Sequence, residues 1–78
     1  MEQSVFQFAC GANEEVRVSL KKIRGDEWID LRVYAAPAQG SAPVPTGKGL
    51  LLRAKDFSFL KQSVERLENA LKAEKKVE

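Results

Sequence analysis

The chain is poor in the residues that most often carry enzyme chemistry. It has no histidine, which removes the side chain most used as a general base and as a zinc ligand. Its single cysteine, Cys10, excludes an internal disulfide, and its apolar neighbours predict a buried, unreactive thiol. It also lacks a phosphate-binding glycine loop and a nucleophile-elbow motif. We therefore expect a binding protein that is not an enzyme and uses no cofactor and no metal.

Long apolar stretches are also missing. No run approaches the ~20 residues that a membrane helix needs, and the first residues lack the features of a signal peptide. With 44% hydrophobic and 31% charged residues, the 78-residue chain is expected to be one soluble, cytoplasmic domain, 1–78. A core of this size rarely supplies more than ~3–5 kcal/mol, which favours dimerisation.

The hydrophobic pattern predicts an α+β fold with four strands and one helix. Alternating apolar residues indicate strands at about 4–10, 14–23 and 27–35. A loop rich in proline and glycine at 36–48 precedes a short apolar run at 49–53, which we interpret as the fourth strand. A helix is predicted at about 54–74, because apolar residues recur there every three or four positions. This stripe consists of Phe57, Leu60, Val64, Leu67 and Leu71.

Basic residues are concentrated in the predicted sheet. Segment 16–24 contains four of them and no acidic residue, whereas the predicted helix mixes both signs. We expect these strand cations to share one face of the sheet. Such a face either keeps the sheet soluble or binds a polyanion, and the formal net charge of +2 is too small to decide. The candidate cations are Arg17, Lys21, Lys22, Arg24, Arg32 and Lys48. Trp28 and Tyr34 share a face of the third predicted strand with Arg32.

Two motifs resemble the positive cofactor four family of transcriptional coactivators. Residues 29–34, IDLRVY, resemble that family's I-D-I-R-x-Y strand, and residues 45–52, PTGKGLLL, resemble its loop and following strand. Residues 6–8 match its opening strand, and Phe57 and Leu60 fall where its helix has an aromatic residue and a leucine. The resemblance extends over about residues 5–72. It implies a curved, four-stranded antiparallel sheet followed by one C-terminal helix, assembled as a homodimer.

The resemblance also implies binding of single-stranded or melted DNA without strict sequence preference. The family acts in transcription, and related proteins act in replication, recombination or repair. Its channel arginine and lysine correspond to Arg32 and Lys48. Ala35 replaces the tryptophan that often follows the motif tyrosine, and Ile23 replaces an aromatic residue near a hairpin that is longer here. The compact chain resembles bacterial or phage members, which implies a cytoplasmic location, or a nuclear one if the source is eukaryotic.

Two functions of different classes are compatible with these features. In the first, cations bind the phosphates of single-stranded DNA and aromatic rings stack on its bases. Part of the helix stripe then faces the sheet, and part faces the helix of a second copy in a homodimer. In the second, the chain recruits transcription or replication proteins and binds DNA weakly, which the missing tryptophan at Ala35 favours. Trp28 either stacks on bases or packs against the hairpin. Asp30 is expected to pair with a neighbouring arginine or lysine.

Overall fold

The structure is a computed structural model that describes residues 2–74. Its four strands follow sequence order in one open, curved antiparallel sheet, and a helix follows the last strand. The predicted fold class is therefore confirmed. The elements are β1 (Glu2–Gly11), β2 (Glu14–Ile23), β3 (Asp26–Ala35), β4 (Val44–Arg53) and α1 (Phe57–Ala73).

A tight turn joins β2 to β3. Its two residues, Arg24 and Gly25, have positive φ angles of 53° and 86°, as a type I′ hairpin requires. Ile23 and Asp26 pair directly on either side of the turn, so that β3 begins one residue earlier than the predicted 27. The β2–β3 register contains no shift over its whole length. This unbroken register decides which side chains share a face.

Strand β4 is twice as long as the fourth predicted strand, because it begins at Val44 instead of 49. The loop predicted at 36–48 is correspondingly shorter. The first half of this strand contains proline and glycine, which in sequence indicate a loop. An edge strand tolerates these residues because one of its sides is unpaired. Between the pairs Arg32↔Gly49 and Tyr34↔Pro45, residues 46–48 form a bulge opposite a single residue of β3.

Gly49 closes this bulge against β3. Its φ angle is 142°, and a Cβ atom at this position would lie 2.2 Å from the carbonyl oxygen of Leu31. Any other residue would therefore push β4 away from β3 or change the bulge.

The strand register gives the sheet two faces of opposite character. Side chains alternate between the faces along each strand. The polar face includes Glu15, Arg17, Ser19 and Lys21 from β2, Trp28, Asp30, Arg32 and Tyr34 from β3, and Leu51 and Arg53 from β4. The apolar face consists of Phe6, Phe8, Val16, Val18, Leu20, Ile29, Leu31, Val33, Leu50 and Leu52.

The helix begins later than the predicted residue 54. Ala54–Asp56 form a short 3-10 turn, a common way for a helix to start, and α1 follows from Phe57. Asp56 occupies the N-cap position, but its side chain accepts no capping hydrogen bond. The helix makes no extended contact with the strands of its own chain. It is not long and apolar enough to cross a membrane, and no other helix of the described part is.

Most apolar side chains of the described residues remain accessible. Ile29 is the one hydrophobic residue among them that is buried, with 7% of its surface exposed. Phe6 on the apolar face is 62% exposed, and so is Leu67 on the helix stripe. Within the chain itself, the apolar face and the stripe therefore both lack a cover.

Candidate nucleic-acid interface

A buried carboxylate lies at the centre of the polar face. Asp30 is 1% exposed, and its two oxygens contact the Lys21 ammonium at 3.0 Å and the Arg32 guanidinium at 3.1 Å. The predicted pairing of Asp30 is therefore confirmed, with two cations instead of one. Burial by itself would raise the pKa of Asp30, but hydrogen bonds from Lys21 and Arg32 outweigh it and hold that pKa below its ordinary value. The ionised carboxylate fixes both cations in place.

Arg32 also connects the polar face to the β4 bulge. Its Nη1 donates a hydrogen bond of 3.0 Å to the carbonyl oxygen of Thr46. The hydroxyl of Thr46 donates to the carbonyl oxygen of Val33 at 2.8 Å and accepts from the backbone N–H of Lys48 at 3.1 Å. These bonds hold the backbone of Lys48 relative to Arg32. Thr46 was missed in the sequence analysis, although its place between Pro45 and the glycines of the second motif was a possible signal.

An arginine–tyrosine stack lies at one end of the polar face. The guanidinium carbon of Arg17 is 4.1 Å from the centre of the Tyr34 ring, within the range of a cation–π contact. Arg17 also donates a hydrogen bond to Glu15, which raises the pKa of the guanidinium above its ordinary value. A cation and a flat ring are thus presented together at the surface of β2 and β3.

An arginine–tryptophan stack lies at the other end. Arg53 pairs with Trp28 across β3 and β4, and its guanidinium carbon is 4.7 Å from the indole. The same guanidinium lies 3.4 Å from Asp26. Arg53 was also missed in the sequence analysis, because the face to which it points depends on the pairing of β4, which the bulge obscures.

Lys22 and Arg24 do not join these residues. Lys22 pairs with Glu27 in an unshifted register, which places it on the apolar side of the sheet, opposite to Lys21. The interpretation that all the strand cations share one face is therefore wrong for Lys22. Arg24 lies in the exposed turn at the end of the hairpin. The polar face holds Arg17, Lys21, Trp28, Arg32 and Tyr34, and Lys48 lies on the adjoining bulge.

Cys10 is exposed, which corrects the prediction of a buried thiol. It lies in edge strand β1, where the register shifts between Ala9 and Gly11, so it has no partner residue in β2.

Within residues 2–74, no group of three or more histidine, cysteine, aspartate or glutamate side chains is placed to hold a metal ion.

Solved structures with the same architecture are homologues of PC4, the positive cofactor four. A crystal structure of a PC4 homologue from Burkholderia pseudomallei has a TM-score of 0.77 at 20% identity, covering 87% of this chain and 98% of that one. A second crystal form gives 0.74 at 20% identity, with 85% and 88% covered. This chain has the PC4 fold. A bacteriophage T5 homologue of PC4, implicated in recombination-dependent DNA replication, gives 0.65 at 18% identity, with 94% and 80% covered.

No family model and no curated protein matches the sequence. The resemblance in the two motifs nevertheless agrees with the PC4 fold that the structures share. Arg32 of the first motif and Thr46 of the second, far apart in sequence, meet at 3.0 Å in this fold.

Proposed function

We propose that this chain is a sequence-tolerant, single-stranded-DNA-binding homodimer. The observation that carries the proposal is that cations and half-buried aromatic rings lie side by side on one face of an open sheet. The polar face offers Arg17, Lys21 and Arg32 for phosphates and Trp28 and Tyr34 for bases. Lys48 and the turn residue Arg24 extend the candidate set at its margins, whereas the position of Lys22 removes it from our proposal.

The chemistry of the face suits a single strand better than a duplex. Stacking on an aromatic ring requires a base whose face is exposed, and a duplex hides its base faces between neighbouring pairs. Ring stacking is also indifferent to base identity, so little sequence preference is expected. The buried Asp30 carboxylate is shared by the partly exposed cations Lys21 and Arg32, so this group of three has a net positive charge. An approaching phosphate therefore meets cations that are already oriented.

The process in which such binding acts is proposed from the fold. One solved PC4 homologue is implicated in recombination-dependent DNA replication, and PC4 itself is a transcription coactivator. Transcription, replication, recombination and repair all expose single strands, and we propose that the chain acts in one of them.

We infer that a second copy of the chain covers the exposed apolar surfaces. The apolar face and the helix stripe are both uncovered within one chain, and Phe57 and Val64 of the stripe are 53% and 55% exposed. Because a two-fold dimer buries the same patch on both subunits, both surfaces can be covered at once. The stripe residues proposed for this interface are Phe57, Leu60, Val64, Leu67 and Leu71.

A titration of labelled oligonucleotides tests the proposed binding. Single strands should bind more tightly than the matched duplex, and the affinity should fall as salt is added. If the protein contacts roughly 4–6 phosphates of one bound strand, the slope of log affinity against log salt should be about −3 to −4. A preference for the duplex, or an affinity independent of salt, would contradict the proposal.

The alternative is a module that recruits transcription or replication proteins and binds DNA weakly. Phe59 favours it, because this side chain is 65% exposed and lies outside the helix stripe. The same titration separates the two functions, since the alternative predicts weak binding to every oligonucleotide.

A further inference from the structure

Three side chains form a cluster at the Trp28 end of the polar face. Trp28 and Arg53 are directly paired on β3 and β4, and the Arg53 guanidinium lies 4.7 Å from the indole. Asp26 holds the same guanidinium at 3.4 Å. The side chains of Arg53 and Asp26 are 47% and 59% exposed, so solvent reaches both sides of this ion pair.

Leu51 adds an apolar wall to the cluster. It pairs with Asp30, which places it on the polar face, diagonally next to Trp28. Leu51 is 45% exposed, whereas Ile29, Leu31 and Val33 of the neighbouring strand β3 point to the other face. A cavity of about 190 Å³ opens beside the cluster, lined by Asp26, Glu27, Arg53, Ala54 and Lys55. The indole and the guanidinium are thus in contact, and the register places Leu51 diagonally beside the indole.

We propose that this cluster, which we call the Trp28 subsite, binds one additional nucleotide of a DNA single strand. This inference rests on the proposed function. The base stacks on the indole beside Leu51, in the place that the Arg53 guanidinium now occupies. The guanidinium leaves Asp26 and binds the phosphate of that nucleotide.

The exchange is favourable for physical reasons. The Arg53–Asp26 ion pair is exposed and has one N···O contact, and ion pairs of this kind contribute little to stability. A phosphate can accept two parallel hydrogen bonds from a guanidinium, which a carboxylate at 3.4 Å does not do here. Asp26 is therefore a competitor that DNA displaces. It keeps Arg53 over the indole when no strand is bound.

The Trp28 subsite lies apart from Arg32 and Tyr34 on the polar face. Trp28 and Tyr34 are six residues apart on β3, which corresponds to roughly 20 Å of strand. A very short oligonucleotide held by Arg32 and Tyr34 would not reach the indole. A longer one would reach it, and Trp28 is the single tryptophan of the chain, so its emission reports this event directly.

An oligothymidine series of increasing length tests the subsite. Quenching of Trp28 emission should begin only above a threshold length, and affinity should rise at the same length. Trp28→Leu should remove this gain, which is about 5- to 150-fold if stacking has its usual strength. Free thymidine monophosphate should quench little at the same concentration. Equal quenching by the free nucleotide would indicate a mononucleotide site and overturn the proposal.

Arg53→Ala tests the phosphate contact, with Arg66→Ala as its matched control. Both variants lose one arginine, but Arg66 is an exposed helix residue outside the stripe. Arg53→Ala should reduce the magnitude of the salt slope by about 0.7, the value for one phosphate on a single strand. Arg66→Ala should leave the slope unchanged.

Asp26→Asn tests the competition, with Glu27→Gln as its control. These neighbouring residues lose the same charge but point to opposite faces of β3. Asp26→Asn should tighten binding of long oligonucleotides more than Glu27→Gln does, and it should not change binding of the shortest ones. Equal effects of the two variants at every length would contradict the proposal that Asp26 and the DNA phosphate compete for Arg53.

The outcomes separate this subsite from the proposed function. If the wild type binds no oligonucleotide, the proposed function is wrong. The wild type could instead bind single strands without any change in Trp28 emission, and Arg53→Ala could have the same salt slope as Arg66→Ala. In that case the proposed function stands and the Trp28 subsite is wrong. Circular dichroism of each variant should match the wild type.

Discussion

Asp30 is the residue on which the geometry of the polar face depends most. Its carboxylate holds Lys21 and Arg32, and Arg32 in turn holds the Thr46 carbonyl of the bulge. Alternation within IDLRVY was enough to predict that Asp30 shares a face with cations. The connection through Thr46 could not be predicted, because it depends on a bulge that no periodic pattern marks.

Asp30→Asn should destabilise the protein, and the loss should depend on pH. Removing a buried charge from two cations should lower the free energy of unfolding by about 1–3 kcal/mol, as measured by urea denaturation at neutral pH. Glu15→Gln is the control, because Glu15 belongs to a more accessible ion pair, and its loss should cost about 0–1 kcal/mol.

The sign of the pH dependence follows from the pKa shifts. The folded pKa of Asp30 lies below its ordinary 3.8, so this stabilisation is complete above that value and is lost as pH falls through the folded pKa. The hydrogen bond to Asp30 raises the pKa of Lys21 above 10.5, so its contribution is lost only as pH rises through that higher value. Wild type and Asp30→Asn should therefore converge in stability under strongly acidic conditions. A constant difference down to the lowest measurable pH would contradict this assignment.

Lys48 gives a clean test of phosphate contact. Its side chain has no ion-pair partner among residues 2–74, so Lys48→Ala should leave stability nearly unchanged. It should weaken binding of all single-stranded sequences by a similar factor, because phosphates carry no sequence information. Fluorescence anisotropy with oligonucleotides of different composition would measure this. Unchanged affinity in the folded variant would remove Lys48 from the proposed interface.

At the scale of elements, β4 shows what periodicity can and cannot predict. The apolar run at 49–53 predicts its second half, whereas its first half contains proline, threonine and glycine, a composition typical of a loop. Tertiary pairing with β3 makes it a strand despite its composition. The face of Arg53, and therefore the Trp28 subsite, follows from that pairing.

Gly49→Ala should disturb this element specifically. A Cβ atom would lie 2.2 Å from the Leu31 carbonyl oxygen, and the φ angle of 142° is unfavourable for alanine. We expect a loss of about 1–3 kcal/mol in the free energy of unfolding, together with weaker DNA binding as Lys48 shifts. Gly47→Ala is the matched control, because a Cβ atom there meets nothing within 4 Å. Equal stability of the two alanine variants would contradict the close approach.

At the scale of the whole molecule, one chain is too thin to enclose a core. It extends 40 × 36 × 18 Å, and among its described hydrophobic residues Ile29 alone is buried. Composition already predicted this difficulty, because so short a chain buries little surface. The sequence could not indicate that the helix would stand clear of its own sheet. The expectation that part of the stripe packs against the sheet of its own chain is therefore wrong.

Leu67→Asp tests whether a second copy supplies the missing cover. Leu67 is 62% exposed within one chain, so a monomer would tolerate aspartate there, whereas a dimer would have to bury an unpaired charge. Asn69→Asp is the control, since it adds the same charge on the opposite side of α1. Light scattering at micromolar concentration should give twice the mass of one chain for the wild type and for Asn69→Asp. Leu67→Asp should give dissociation, with unfolding visible by circular dichroism because the apolar face loses its cover as well. A folded wild type with the mass of one chain would contradict the dimer, and the uncovered face and stripe would then require a different partner.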